Sequence, residues 1–357
     1  MSLVRRFIFA VCLFLCAWAT VSAEEPTRIF TDVVGRKVSI PTKINKVYCT
    51  SAVGVILIYT LSPDKLAGWT NKLGLDELKY ITSPYDKLPV IGGAFGKNNS
   101  GSLEEIVKAH PDVIFSTGTA DALTVSTSER LQTQTGIPVV ILGSNLSQLE
   151  ATYRISGDLL DAKDRATELA DYCAKTLKET EEKVKAIPKE KRPRVYYAEG
   201  PRGLETDPSG SFHVELLDVL GAVNVAEVPI ISSMGRSPVS MEQLLVWNPE
   251  IIISGYEHGL GPGGLRDEVL ADVAWKNIAA VKNKKVFETP QYPFNWFDRP
   301  PSVNRILGIK WVAYLLYPDV FPFDMRKETS EFYEKFYRRK LTEQELDELL
   351  SRSLPRK

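Results

Sequence analysis

Side chains able to grip a small molecule gather in a few short, loop-like stretches. These are Thr50-Ser51-Ala52, Trp69-Thr70-Asn71, Gly92-Gly93-Ala94-Phe95-Gly96, Thr117-Gly118-Thr119, Glu199-Gly200-Pro201-Arg202, Gly235-Arg236, Gly255-Tyr256-Glu257-His258 and the run from Tyr292 to Arg299. Aromatic faces give broad contact, and a guanidinium recognises carboxylate or phenolate oxygens through two parallel hydrogen bonds. That mixture suits a bulky anionic or polar chelate. The candidate ligand-binding residues are Ser51, Trp69, Thr70, Phe95, Thr119, Glu199, Arg202, Arg236, Tyr256, His258, Tyr292, Phe294, Trp296 and Arg299. Tyr256, Glu257 and His258 also offer donor atoms to a metal, but a chelate that saturates its metal leaves them no such role. Each aromatic has a competing use, core packing beneath a loop. Trp311, Tyr314 and Tyr317 are assigned to the core, on an amphipathic helix after Ser302.

Catalysis is not indicated. The chain has no G-x-S-x-G elbow, no H-E-x-x-H and no phosphate loop, and Gly92-Gly93…Gly96 does not match G-x-G-x-x-G. Gly101-Ser102 and Ser209-Gly210-Ser211 lack a partner His. His110, His213 and His258 stand far apart, so no metal site of the protein's own is expected. With 44 Lys plus Arg against 45 Asp plus Glu, the net charge of -1 argues against a nucleic-acid partner. A secreted enzyme using a cleft remains the rival class. An adhesion module would need β-rich repeats, which are missing.

The N-terminus reads as an export signal over residues 1–23. Arg5 and Arg6 precede the apolar run Phe7 to Trp18, and Val21-Ser22-Ala23 puts small residues before a cleavage expected ahead of Glu24. Cys16 follows Leu13-Phe14-Leu15, where a bulky Leu replaces the small residue of a lipoprotein signal. Cys49 and Cys173 then remain, either as a disulfide in an oxidising compartment or as two buried thiols.

An internal repeat organises the rest. Ser102-Leu103-Glu104-Glu105-Ile106 runs through Pro111-Asp112-Val113-Ile114 to Ser116. Ser240-Met241-Glu242-Gln243-Leu244 runs through Pro249-Glu250-Ile251-Ile252 to Ser254, without a gap over fifteen positions. Ser with Glu or Gln three residues on fits a helix-starting capping box, and Pro ends each helix. The β-rich triplets after Pro predict strands buried on both faces. Each block is therefore a helix feeding a central strand, once per lobe. Further strands are expected at Lys46–Thr50, Leu66–Trp69, Ile137–Leu142, Arg194–Ala198 and Lys285–Phe287, and helices at Val53–Leu61 and Phe212–Leu220. This alternation predicts an α/β fold with mostly parallel sheets. From Lys163 to Ile187 there is no Pro or Gly. Ala166, Leu169, Ala170, Cys173, Leu177 and Val184 trace one apolar face of what would be a rod of ~37 Å joining the lobes.

Taken together, these features resemble the class III substrate-binding proteins of ABC importers, which carry ferric siderophores, haem, corrinoids or oxyanions such as molybdate and tungstate. The S-[LM]-E-x-[IL]…P-[DE]-[VI]-I blocks carry the likeness, with Phe30-Thr31-Asp32-Val33-Val34-Gly35-Arg36, Tyr196-Tyr197-Ala198-Glu199-Gly200 and Trp296-Phe297-Asp298-Arg299-Pro300-Pro301-Ser302. The resemblance implies two Rossmann-like lobes, at 24–150 and 191–357, around a linker region at 151–190. It implies a monomer in the periplasm, without a cofactor, whose cargo is a metal chelate, a ferric siderophore carrying Fe(III) first among them. It also implies that Glu104 and Glu242 meet arginines of a permease dimer. Sequence physics offers another use for both carboxylates, since each lies in a helix's first turn, favourable to its dipole by ~0.3–1 kcal/mol.

Overall fold

The computed structural model describes residues 26–94, 101–231, 235–255, 257, 259–260 and 264–355. The expected export signal lies outside them. The described chain enters as an antiparallel hairpin, β1 (Thr27–Thr31) with β2 (Lys37–Pro41). Gly35 turns it at φ +83°, a region open to glycine. Asp32 accepts hydrogen bonds from the amides of Val34 and Arg36 and pairs with the Arg36 guanidinium at 2.9 Å. Arg36 also donates to the Val139 carbonyl at 2.6 Å. The F-T-D-x-x-G-R stretch thus clamps the hairpin onto the first lobe.

That lobe runs β3 (Val47–Cys49), α1 (Ala52–Leu61), α2 (Leu75–Leu78), α3 (Leu103–Lys108), β4 (Val113–Gly118), α4 (Ala122–Thr135) and β5 (Val139–Gly143). Its parallel sheet has the order β3-β4-β5. The strand expected at Leu66–Trp69 is reduced to single bridges, Val47 with Leu66 and Trp69 with Val90. Pro89 faces this stretch and accepts from the Trp69 amide, but it has no N–H to return to a ladder.

Helices α5 (Leu149–Leu159) and α6 (Lys163–Lys185) lead to the second lobe. There follow β6 (Arg194–Ala198), β7 (Glu205–Thr206), α7 (Glu215–Val219), β8 (Val223–Asn224), β9 (Ser237–Pro238), α8 (Met241–Trp247), β10 (Ile251–Ser254), α9 (Gly264–Ala271), α10 (Ala279–Lys282) and β11 (Val286–Glu288). The parallel order is β11-β10-β6-β8, beside a small antiparallel pair of β7 and β9. The helix expected at Phe212–Leu220 starts as a 3-10 turn, Phe212–Val214, before α7. Helices α11 (Asn304–Leu316), α12 (Met325–Tyr337) and α13 (Glu343–Leu350) close the chain.

The repeat takes the same form twice. Ser102 accepts from the Glu105 amide at 3.1 Å and Ser240 from the Gln243 amide at 3.2 Å. Ahead of each Pro the backbone turns left-handed at matching positions, His110 (φ 46°) and Asn248 (φ 41°). The strands that follow, β4 and β10, both sit inside their sheets.

Both sheets are buried on two faces, with side chains alternating between cores. Val47, Val113, Val195, Ile251 and Ile253 join one large cluster that spans both lobes, while Tyr48 and Ile114, and Tyr196 and Ile252, enter separate outer clusters. Helix α6 is unbroken and turns Ala166, Leu169, Ala170, Cys173 and Val184 inward. The rod does not work alone. Arg305, fully buried on α11, donates to the Ser144 carbonyl of the first lobe at 2.8 Å and pairs with Glu215 at 3.0 Å. Glu215 accepts from the Leu146 amide at 3.1 Å. Arg338, after α12, caps the end of α1 through the carbonyls of Tyr59 and Leu61 at 3.2 and 3.0 Å. Cys49 and Cys173 are buried free thiols.

Candidate functional site

The carboxyl ends of parallel strands are where ligands bind in α/β folds, because the loops there are free to vary. In the first lobe, Ser51 follows β3 and its hydroxyl bonds the Thr117 hydroxyl at the end of β4 at 2.8 Å. Thr119 is exposed and donates to Asp121 at 3.0 Å. A cavity of about 10 Å³, room for one water, lies where Thr117 and Ser144 of these strand ends meet Val303 of the second lobe.

In the second lobe the strand-end loops build an ionic network. Glu199, directly after β6, is wholly buried. Its carboxylate takes Arg299 Nε at 2.7 Å and Arg236 Nε at 3.2 Å. Arg299 reaches on to Asp207 at 2.8 Å and Asp298 at 3.3 Å. Arg236 pairs with Glu257 at 2.8 Å and approaches Glu205 at 3.7 Å. His213 Nδ1 bonds Asp298 at 2.8 Å, and the Ser211 hydroxyl donates to Asp207 at 2.9 Å. The side chains of Arg236 and Arg299 are 26% and 27% exposed, so neither is sealed from solvent. Gly235 makes the approach possible: at φ +76°, a Cβ there would run into Asp207 and Arg299.

The network splits its carboxyls. Burial pushes Glu199 up to about 8, against the pull of Arg299, so it holds a proton at neutral pH. Burial also acts on Asp207, but the hydrogen bond from Glu199, His213 and Arg299 together hold it below the usual carboxylate range. Burial disfavours the His213 cation, yet its bond to Asp298 more than offsets this and raises its pKa. With Glu199 neutral, Arg236 and Arg299, helped by His213 when it is protonated, face four acids, Asp207, Asp298, Glu205 and Glu257. Donor atoms of Asp207, His213 and Asp298 lie within 4.8 Å of one another, a spacing fit for a metal. The Arg299 guanidinium already supplies the cation between Asp207 and Asp298. The arrangement can bind oxygen-rich groups through oriented N–H donors.

The other sequence candidates divide. Glu199, Arg236 and Arg299 come together. Arg202 is exposed and, among the described residues, forms no ion pair with them. Trp69, Phe294 and Trp296 are core residues: Trp69 is 3% exposed and donates to the Tyr85 carbonyl, Phe294 packs on Trp69 and Tyr337, and Trp296 is fully buried beside Tyr333. Thr70 is buried as well. These four therefore depart from the surface role expected of them, because the loops that carry them fold inward between the lobes. Tyr292 is half-buried and stacks on Tyr80 at 6.1 Å. Phe95, Tyr256 and His258 lie outside the described residues. Glu104 and Glu242 are both exposed. Sequence reasoning missed Asp207, His213 and Asp298. Asp298 sits within the W-F-D-R-P-P-S stretch, the one signal available; nothing local marks Asp207.

A family model described as periplasmic binding protein matches residues 59–293. The chain belongs to the periplasmic binding protein family. Its fold is that of the class III members that serve ABC transporters. The molybdate-binding protein MolA of Haemophilus influenzae is 28% identical over 340 residues, covering 87% of this chain and 91% of MolA. An ABC transporter solute-binding protein from Sulfurospirillum deleyianum is 32% identical, with a TM-score of 0.83, covering 91% of this chain and 99% of that one. The structure of MolA bound to molybdate aligns with a TM-score of 0.69 at 25% identity, covering 88% and 99%. Periplasmic binding proteins of this kind are exported solute carriers, not enzymes. They take small molecules to a permease. No helix among the described residues is long and apolar enough to cross a membrane.

Proposed function

We propose that this protein is the periplasmic cargo-binding component of an ABC importer and that its cargo is a small oxyanion of the molybdate or tungstate kind. The observation that supports the reading is the pair Arg236 and Arg299, both tied to Glu199 and both partly exposed. Buried acids fix the two forks in place, so little side-chain entropy is lost when an oxyanion accepts their hydrogen bonds. The likeness to MolA over most of both chains supports the same cargo class. From the first lobe, the bonded hydroxyl pair Ser51 and Thr117 keeps one donor for such a cargo, while Thr119 already donates to Asp121. The aromatic surface that a ferric siderophore, haem or corrinoid would use is depleted, since Trp69, Phe294 and Trp296 pack in the core.

A metal chelate carrying Fe(III) is the second reading. The acid-rich rim of Glu205 and Glu257 favours it, because such a rim suits a ligand that brings its own cation or donors. In neither reading does the protein need a cofactor, and Glu104 and Glu242 dock the permease.

Calorimetric titration of the mature protein with molybdate, tungstate, sulfate and a ferric siderophore panel tests the proposal. Molybdate or tungstate is expected to bind, and Arg236→Ala to weaken it about tenfold or more, as befits a lost charge-assisted hydrogen bond. Binding of a siderophore with no response to either oxyanion would overturn it. N-terminal sequencing of exported protein should begin at Glu24.

A further inference from the structure

We infer that the docking surface is two equivalent carboxylate-and-apolar units, Glu104 with Val107 and Glu242 with Leu245, shaped for paired cationic sockets with apolar rims on a two-fold symmetric membrane partner. The inference rests on the docking role of Glu104 and Glu242 and extends it to residues outside that role.

Val107 and Leu245 occupy matching positions of the repeat, three residues after each carboxylate. Both are 43% exposed. Residues three apart share a helix face, so each carboxylate has an apolar neighbour beside it. The intervening residues, Ile106 at 1% and Leu244 at 0%, anchor each helix inward and fix which face looks out. The serine caps hold the first turn, which carries the carboxylate. Among the described residues no ion pair is recorded for Glu104 or Glu242, whereas the neighbouring Glu105 pairs with Lys108 at 3.3 Å.

Single exposed apolar residues are common and need no explanation. Recurrence at equivalent positions of two lobes, with equal exposure and beside an unpaired acid each time, calls for one. The topology places both units alike. A helix feeding a parallel strand runs back across the sheet, so the starts of α3 and α8 lie at the ends where β4 and β10 open toward the cleft. Two like units on one chain fit a partner that repeats its own surface by a two-fold axis. The apolar side chain excludes water from the neighbouring ion pair, which strengthens it. The match is not complete: Lys108 in the first lobe corresponds to Val246 in the second, 84% exposed. The second unit is the more apolar.

The test measures docking of full-length mature protein on its cognate permease complex in nanodiscs, by interferometry at low and high salt. The Val107→Ser/Leu245→Ser double variant should weaken docking at least tenfold, with unchanged melting and circular dichroism. Val107→Thr, close to isosteric, should weaken it in the same direction. Docking equal to wild type in these variants, while Glu104→Ala/Glu242→Ala loses it, would overturn the inference and leave the carboxylate role standing. Wild-type docking by the glutamate variant would overturn both.

Discussion

Arg299 donates from Nε to Glu199 Oε1 across 2.7 Å, although the two lie 100 positions apart in the chain. The bond joins the loop after β6 to the loop after β11, and the other arm of Arg299 holds Asp207. Arg299→Ala leaves Glu199 and Asp207 buried with no guanidinium between them. A loss of about 2–4 kcal/mol is expected, somewhat below the cost for a fully buried pair because Arg299 is partly exposed. Urea unfolding measures it. A change under about 0.5 kcal/mol would mean that the network is surface electrostatics.

The proton on Glu199 makes stability depend on pH. Its carboxyl is raised from 4.5 to about 8 in the folded state, so folding favours the protonated form. That contribution is complete below the unfolded value and disappears as pH rises through about 8. Asp207 is depressed and acts oppositely, losing its contribution as acid is added. The urea midpoint should therefore fall on the alkaline side, and Glu199→Gln should flatten that fall. An unchanged alkaline limb in the variant would refute the assignment.

Gly235→Ala tests the close approach at the site. Both its positive φ and the contact with Asp207 and Arg299 forbid a Cβ. Oxyanion affinity should drop together with stability, whereas Gly210→Ala, also at positive φ but with open space around it, should cost stability alone.

Lobe movement should be small. The shared core, α6, and the ties from Arg305 and Arg338 all resist hinge opening. Small-angle scattering with and without molybdate should show the radius of gyration, near 20 Å for a chain this size, changing by only a few per cent. Marked compaction would contradict a stiff junction.

Both cysteines should be silent in the native protein. Burial pushes the thiols of Cys49 and Cys173 far up, away from the reactive thiolate. A thiol reagent should label neither until denaturant is added, and then both. Rapid native labelling, or an intact mass two hydrogens short, would exclude buried free thiols.

The sequence alone determined the repeat, the capped helices that feed β4 and β10, the long helix and the exposure of Glu104 and Glu242. Those features rest on local rules: caps, proline stops, and the periods of helix and strand, each written within a few neighbouring residues. The family likeness was legible for the same reason. Tertiary structure alone decided which loop residues are buried and which stay exposed. Trp69, Phe294 and Trp296 look like binding aromatics in their loops, yet the hydrophobic effect draws them into the seam between lobes. Asp207 and His213 carry no local mark, and their place beside Arg299 follows only from strands paired across the sheet. An ionic network assembled from distant loops is a property of the fold's closure, and no window of sequence contains it.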